Sequence, residues 1–241
     1  MNIAIDIGNS SVKAGVFDNE KLVEVFRYEK INKNQLEAIT NQYNIENSIV
    51  ASVQKDDPDS IEEIESVLKN VMQLNHNTPL PIENQYTTPE TLGLDRIAAA
   101  VGGYILFPDS NVLIFDIGTA ITIDFITKDK KYIGGNISPG LNMRFKALNN
   151  YTDKLPYLTQ DNTFGLLGSN THEAIVSGVQ NGLVFEINQY IKEFKEKHKK
   201  IKPILTGGDA NFFDNKLNYR IFVEQNLVLI GLNEILKYNI T

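Results

Sequence analysis

The chain has 241 residues, is 42% hydrophobic and 22% charged, contains no cysteine and carries a formal net charge of −7. That composition is globular, with enough apolar material for a sizeable core, and it excludes a disulfide framework, a thiolate metal site and a cysteine nucleophile. The acidic balance argues against a general nucleic-acid binder, whose affinity rests on basic surface. No apolar run approaches the ~18 residues that crossing a bilayer takes, and Asp6 interrupts the one stretch a secretory leader could use. A cytoplasmic protein with no nucleic acid and no membrane as partner is expected.

Residues 2–7 alternate and stop at Gly8-Asn9-Ser10-Ser11, after which Val12 to Phe17 returns, so the chain opens with a β-hairpin. Ser48 to Val53 predicts a further strand. Ser60-Ile-Glu-Glu63 has the form of a capping box, followed by Ile61, Ile64, Val67, Leu68 and Val71 at helical spacing. Thr88 as N-cap and Pro89 at the first helical position predict a helix through Leu94, Ile97, Ala98 and Val101, with a kink near Gly93. Asn170 to Glu173 is a second capping box, ahead of a long helix carrying Ile175, Val179, Leu183, Ile187, Ile191 and Phe194. The basic stretch from Lys192 to Lys202, with Glu193 and Glu196 among its cations, is expected to be the solvated end of that helix. Pro203 to Thr206 predicts a short strand ending in Gly207-Gly208-Asp209-Ala210, and a strand from Val223 and a helix around Ile230 to Leu236 close the chain.

An internal repeat organises these elements. Leu113-Ile-Phe-Asp-Ile-Gly-Thr-Ala echoes Ile3-Ala-Ile-Asp-Ile-Gly-Asn-Ser, so Asp6 and Asp116 fall at matching positions 110 residues apart, close to half the chain. Two similar α/β halves are expected, 1–110 and 111–241, each opening with a strand, an Asp, a tight Gly turn and a second strand.

The familiar phosphate-binding and catalytic patterns are missing. There is no G-x-x-x-x-G-K-[ST], no G-x-G-x-x-G and no G-x-S-x-G. The three histidines, His76, His172 and His198, are scattered among polar residues. What remains is the duplicated Asp-Gly hairpin. A turn of small residues offers consecutive backbone N–H groups to phosphate oxygens; Ser10, Ser11 and Thr119 add hydroxyls, and Lys13 adds a point charge. A carboxylate at each strand end repels phosphate unless a cation stands between them. The pair therefore points to a polyphosphate with its metal.

Asp6-Ile7-Gly8-Asn9-Ser10-Ser11-Val12-Lys13 and Asp116-Ile-Gly-Thr-Ala120 resemble the two phosphate motifs of the actin, sugar-kinase and heat-shock ATPase superfamily, and Leu205 to Ala210 is similar to its glycine-rich adenosine motif. Within that superfamily, Gly93-Leu-Asp-Arg96, Asp116 to Asp124, Gly134 to Gly140 and Thr171 to Ile175 resemble type III pantothenate kinase, in that family's order and over most of the chain. Leu94 departs from the alanine common there, and is expected to face packing.

The resemblance implies an α/β fold of two duplicated ribonuclease H-like halves, each a mixed sheet flanked by helices, with the ATP site in the cleft between them. It implies phosphorylation of pantothenate by ATP with Mg²⁺, giving 4′-phosphopantothenate in the first step of coenzyme A biosynthesis. Asp95 is then the general base, residues 6–13 and Thr119 bind ATP, Gly93, Leu94, Asp95, Arg96 and Thr171 bind pantothenate, and Asp116 holds a monovalent cation, K⁺ or NH₄⁺. Arg96 can meet the substrate carboxylate or a phosphate. A homodimer is also implied, with Leu141 to Phe145 and the helix from Thr171 as candidate surfaces. Two alternatives stand beside this: another small-molecule kinase of the superfamily, and a non-catalytic nucleotide-binding regulator.

Overall fold

The computed structural model describes residues 1–53, 58–198 and 200–240. In chain order the elements are β1 (Asn2–Ile7), β2 (Val12–Asp18), β3 (Lys21–Tyr28), α1 (Lys33–Gln42), β4 (Asn47–Ser52), α2 (Pro58–Val67), β5 (Val71–Gln73), β6 (Glu83–Asn84), a 3-10 turn (Pro89–Thr91) and α3 (Leu94–Leu106). They continue as β7 (Asn111–Ile117), β8 (Ala120–Ile126), β9 (Lys131–Pro139), α4 (Leu141–Asn150), α5 (Thr171–Lys197), β10 (Ile201–Thr206), α6 (Ala210–Asp214), β11 (Phe222–Val223) and α7 (Leu227–Ile240). The chain forms two compact units, one of Met1–Pro108, Ile126–Ile133 and the chain from Asn226 on, the other of Asp109–Phe125 and Gly134–Gln225.

In the first unit the strand order is β3-β2-β1-β4-β5. β1 pairs with β2 antiparallel, from Asn2 opposite Phe17 to Ile7 opposite Val12, and with β4 parallel, so the sheet is mixed. Alternation along β1 sends Ile3, Ile5 and Ile7 into a core shared with Leu36 and Ile39 of α1 and Ile64 of α2. Asn2, Ala4 and Asp6 occupy the opposite face, where the Asn2 amide donates to Asn233 of α7 at 3.2 Å. α3 lies against α7, and glycines set that contact: a Cβ on Gly231 would collide with the Ala98 carbonyl, and one on Gly102 with the Leu227 carbonyl. β6 pairs parallel with Lys131 and Tyr132 at the start of β9, residues that belong to this unit.

In the second unit the order is β11-β10-β7-β8-β9. β10 runs parallel to β7, placing Thr206 opposite Asp116. Leu113, Phe115 and Ile117 of β7 and Ile121, Ile123 and Phe125 of β8 form one core with Phe145 of α4 and Ile175, Val179, Leu183, Ile187 and Ile191 of α5. Both units are mixed α/β, with a mixed sheet and flanking helices, as expected.

Four local expectations change. α2 begins at Pro58, so Ser60 lies inside the helix rather than capping it, and Val71 belongs to β5. The helix expected from Thr88 is two elements: a 3-10 turn over Pro89–Thr91, an extended Leu92, and α3 from Leu94 with Gly93 as N-cap. Thr88 makes no side-chain cap bond to the turn. At α5, Asn170 caps the Glu173 N–H as expected, but the Glu173 carboxylate accepts from the Ser169 N–H and hydroxyl at 2.8 and 2.7 Å, so only half of a capping box forms. Leu141 and Phe145 are buried in the second unit's core, which removes them as surface residues, while Met143 between them is exposed. The basic stretch closes α5 with Lys195 and Lys197 in its last turn and continues into β10; residue 199 lies outside the described residues.

Candidate active site

The turn between β1 and β2 is closed by the Gly8 N–H donating to the Ser11 carbonyl at 3.0 Å. A Cβ on Gly8 would stand 3.1 Å from that oxygen, so a larger residue strains the turn. Ile7 and Val12, 1% and 3% exposed, anchor the two strand ends in the core, and leave Asn9, Ser10 and Ser11 exposed at the tip. Asp6 and Lys13 are cross-strand partners at the mouth of the hairpin, both half-buried. Such a mouth offers donors to anionic oxygens and one carboxylate to a cation.

Gly93 to Arg96 starts α3 in the same unit. Gly93 has φ −56° and ψ 132°, so it stays outside the helix while its carbonyl accepts the Ile97 N–H at 3.2 Å. Asp95 lies in the first turn, half-buried, with its carboxylate accepting the Arg96 N–H at 2.9 Å. A Cβ on Gly93 would collide with that carboxylate, so the glycine makes room for it. A helix N-terminus favours the ionised acid. Leu94 is half-buried.

Arg96 is only 5% exposed, and its guanidinium lies 5.8 Å from the centre of the Tyr86 ring. Tyr86 is fixed by its N–H donating to Asn84 Oδ1 at 3.0 Å and by a tilted contact with the buried ring of Tyr132 at 6.3 Å. Sequence reading did not single out Tyr86, because no local pattern announces a ring that meets a residue in another element.

In the second unit the β7–β8 turn is closed by the Gly118 N–H donating to the Ala120 carbonyl at 3.1 Å, leaving Thr119 exposed at its tip. Two glycines crowd this turn. Gly140 donates its N–H to the Thr119 carbonyl at 3.1 Å, and a Cβ there would collide with the Gly118 and Thr119 carbonyls. Gly207 has φ +91°, and a Cβ on it would collide with the Asp116 carboxylate and the Ile117 carbonyl. The glycine-rich turn after β10 therefore lies directly against Asp116. It is tied there by the Asp209 N–H donating to the Ile117 carbonyl at 3.0 Å. Burial pushes the Asp209 carboxyl above its ordinary pKa.

Thr171 is the first residue of α5 and lines an open groove of about 850 Å³ with Arg144, Leu148, Tyr151, Leu155, Ile175 and Val179. Beside it, hydrogen bonds from the Ser169 N–H and hydroxyl hold the Glu173 carboxyl below its ordinary pKa. The second unit thus brings Asp116, Thr119, Gly140 and Gly207 together, with Thr171 on the α4–α5 groove. The first unit carries Asp6 to Lys13 and, separately in sequence, Gly93 to Arg96.

No group of three His, Cys, Asp or Glu side chains able to hold a metal occurs among the described residues. A divalent ion here takes most of its ligands from phosphate and water, which is how Mg²⁺ binds beside nucleotides. A single carboxylate such as Asp6 fits that mode. No described helix is long and apolar enough to cross a membrane.

The model of a family described as type III pantothenate kinase matches residues 2–193. A type III pantothenate kinase from Phocaeicola vulgatus is 44% identical over 239 residues, covering 99% of each chain. Among solved structures, a Campylobacter jejuni protein assigned to the Baf family of transcriptional activators has a TM-score of 0.62 at 24% identity, covering 98% of each chain. A ROK family glucokinase from Streptomyces griseus, in complex with glucose and AMPPNP, has a TM-score of 0.55 at 12% identity and covers 98% of this chain and 99% of its own. At those identities the two structures speak to the fold, which is that of the ribonuclease H-like sugar kinases.

Proposed function

The chain belongs to the type III pantothenate kinase family, and from that premise we propose that it transfers the γ-phosphoryl group of ATP to the primary hydroxyl of pantothenate, giving 4′-phosphopantothenate and ADP. A kinase of this family works with ATP and a divalent metal on a small-molecule substrate. The observation that supports the assignment of the chemistry is the seating of Asp95: a carboxylate in the first turn of α3, with Gly93 beside it kept free of a side chain.

Phosphoryl transfer has a loose transition state, so catalysis is mainly positioning and charge neutralisation. Asp95 accepts a hydrogen bond from the attacking hydroxyl, orients it, and takes its proton as the new P–O bond forms and the bond to ADP breaks. A carboxylate is a weak base, which suffices for a proton that leaves late. The Asp6 to Lys13 turn and Thr119 bind the ATP phosphates, Lys13 by charge and the turn by its N–H and hydroxyl donors. Asp6 is the carboxylate available to the Mg²⁺ that ATP carries, which offsets charge on the phosphates. Gly93 to Arg96 and Thr171 bind pantothenate, with Arg96 oriented over Tyr86.

Asp116 holds a monovalent cation, K⁺ or NH₄⁺, a role that fits a carboxylate lying against a glycine turn with no room for a side chain. Omitting both ions is expected to stop turnover, and Asp116→Asn to abolish the dependence along with most of the activity. Full activity in Na⁺ alone contradicts the cation role. The halves 1–110 and 111–241 are read as the products of duplication. A cytoplasmic homodimer completes the reading, supported by exposed apolar side chains in the second unit: Met143 at 41%, Tyr151 at 88% and Phe185 at 55%.

The experiment that tests the activity is ADP release with pantothenate, glucose or acetate as acceptor. Pantothenate alone is expected to support turnover; equal rates with glucose would move the chain to another kinase specificity. ATP binding without turnover on any acceptor would make it a nucleotide-binding regulator.

A further inference from the structure

We propose that Arg144 and Glu186 are positioning residues for the second phosphate turn, acting on Thr119 through Gly140. The proposal rests on the reading that Thr119 contacts ATP. The contact chain is continuous within one unit. On α4, the Arg144 Nε donates to the Pro139 carbonyl at 2.8 Å, and its terminal nitrogen donates to Ser138 Oγ at 2.9 Å and to a Glu186 carboxylate oxygen. The Ser138 hydroxyl in turn donates to the other Glu186 oxygen at 2.7 Å. Ser138 and Pro139 are the last residues of β9, so one guanidinium ties the end of a strand to two helices.

The next residue is Gly140. Its carbonyl accepts the Arg144 N–H at 3.0 Å, and its N–H donates to the Thr119 carbonyl at 3.1 Å. The absence of a Cβ at Gly140 lets its backbone lie against the carbonyls of Gly118 and Thr119. The Thr119 turn is thus fixed from outside by the backbone of 138–140, and that backbone is fixed by Arg144.

Stability alone does not account for the pair: its side chains are each only 22% exposed, and the cost of desolvation offsets much of the attraction in a mostly buried pair. What they do supply is direction: the planar fork of Arg makes several bonds in one geometry, which a Lys or a hydrophobe cannot reproduce. The Gly140 N–H bond to the Thr119 carbonyl fixes one side of this two-residue turn, and the direction of the Thr119 hydroxyl follows from how the turn is seated.

The test is a double-mutant cycle on ATP KM and pantothenate KM, with variants Thr119→Val, Arg144→Met and both together. Arg144→Met is expected to raise ATP KM roughly fivefold, the scale of one weakened hydrogen bond, with a clearly smaller rise in pantothenate KM, since Arg144 also lines the groove that carries Thr171. In the Thr119→Val background the Arg144 substitution is expected to add nothing further, because its effect runs through the side chain already removed. Glu186→Gln, which keeps the volume and drops the charge, is expected to move ATP KM in the same direction by less, and serves where Arg144→Met fails to fold.

The outcomes separate the two layers. If Thr119→Val leaves ATP KM unchanged, the reading of Thr119 fails and the brace has no ligand to position. If Thr119→Val raises ATP KM but Arg144→Met and Glu186→Gln do not, the ATP reading stands and the positioning role is overturned. Additive effects in the double variant, or an equal rise in pantothenate KM, also overturn it.

Discussion

Asp95→Asn is expected to lower kcat by about two to three orders of magnitude, the usual worth of a positioned general base, while KM for ATP changes little. The substitution keeps the size and planarity of the side chain. Its Oδ1 still accepts the Arg96 N–H, the contact Asp95 makes at 2.9 Å, and Gly93 still leaves space for it. The start of α3 is therefore expected to survive. What is lost is the negative charge and one acceptor oxygen, which in the proposed mechanism orient the pantothenate hydroxyl and receive its proton. The measurement is steady-state kinetics with a thermal melt on the same sample. A near-normal kcat at unchanged Tm removes Asp95 from the mechanism. A large loss of both assigns it to the fold instead.

Gly231→Ala is expected to be strongly destabilising. The added Cβ would collide with the Ala98 carbonyl and approach Gly102 N at 2.9 Å, so backbone meets backbone and no rotamer relieves it. Overpacking of this kind costs about 3 kcal/mol, and for a chain of this size that lowers Tm by roughly 6–12 °C. α7 also packs on β1, the strand that carries Asp6, and is tied to it by the Asn2–Asn233 hydrogen bond. Loss of the α3–α7 contact therefore disturbs both the Asp95 and the Asp6 segments, and activity is expected to fall with Tm. A melt unchanged within about 1 °C contradicts the close helix crossing.

Local signals carried part of this structure plainly. The opening hairpin was legible because alternation and a small-residue turn act within a dozen residues, and its repeat at Asp116 exposed the second turn without any structure. The Gly turn after β10 was legible for the same reason. The break before α3 was not: Thr88-Pro89-Glu90 followed by apolar spacing favours one helix, but the chain leaves helical geometry at Leu92 and Gly93 so that Asp95 can sit in a first turn. Propensity cannot report that requirement.

α1 went unread even though Asn32 and Gln35 form a full capping box, because only Leu36 and Ile39 are buried and the apolar stripe is thin. β3 went unread because charged residues punctuate it as an edge strand. Leu141 and Phe145 carried a helical i, i+4 core signal that was assigned to a surface.

In the candidate site, the residues with backbone work to do were visible as glycines and acids. Tyr86 under Arg96, and Arg144 with Glu186 behind Thr119, were not visible. Both are contacts between elements, and one sequence holds no trace of which elements meet. The placement of α7 with the first unit is of the same kind.

The most direct measurement is identification of the phosphorylated product after incubation with ATP, Mg²⁺, K⁺ and pantothenate. The expected result is one 4′-phosphopantothenate formed per ADP released, with the phosphate on the primary hydroxyl, and at least about a hundredfold slower formation by Asp95→Asn at the same protein concentration. ADP release without phosphorylated pantothenate, or equal product from the Asp95 variant, contradicts the assignment.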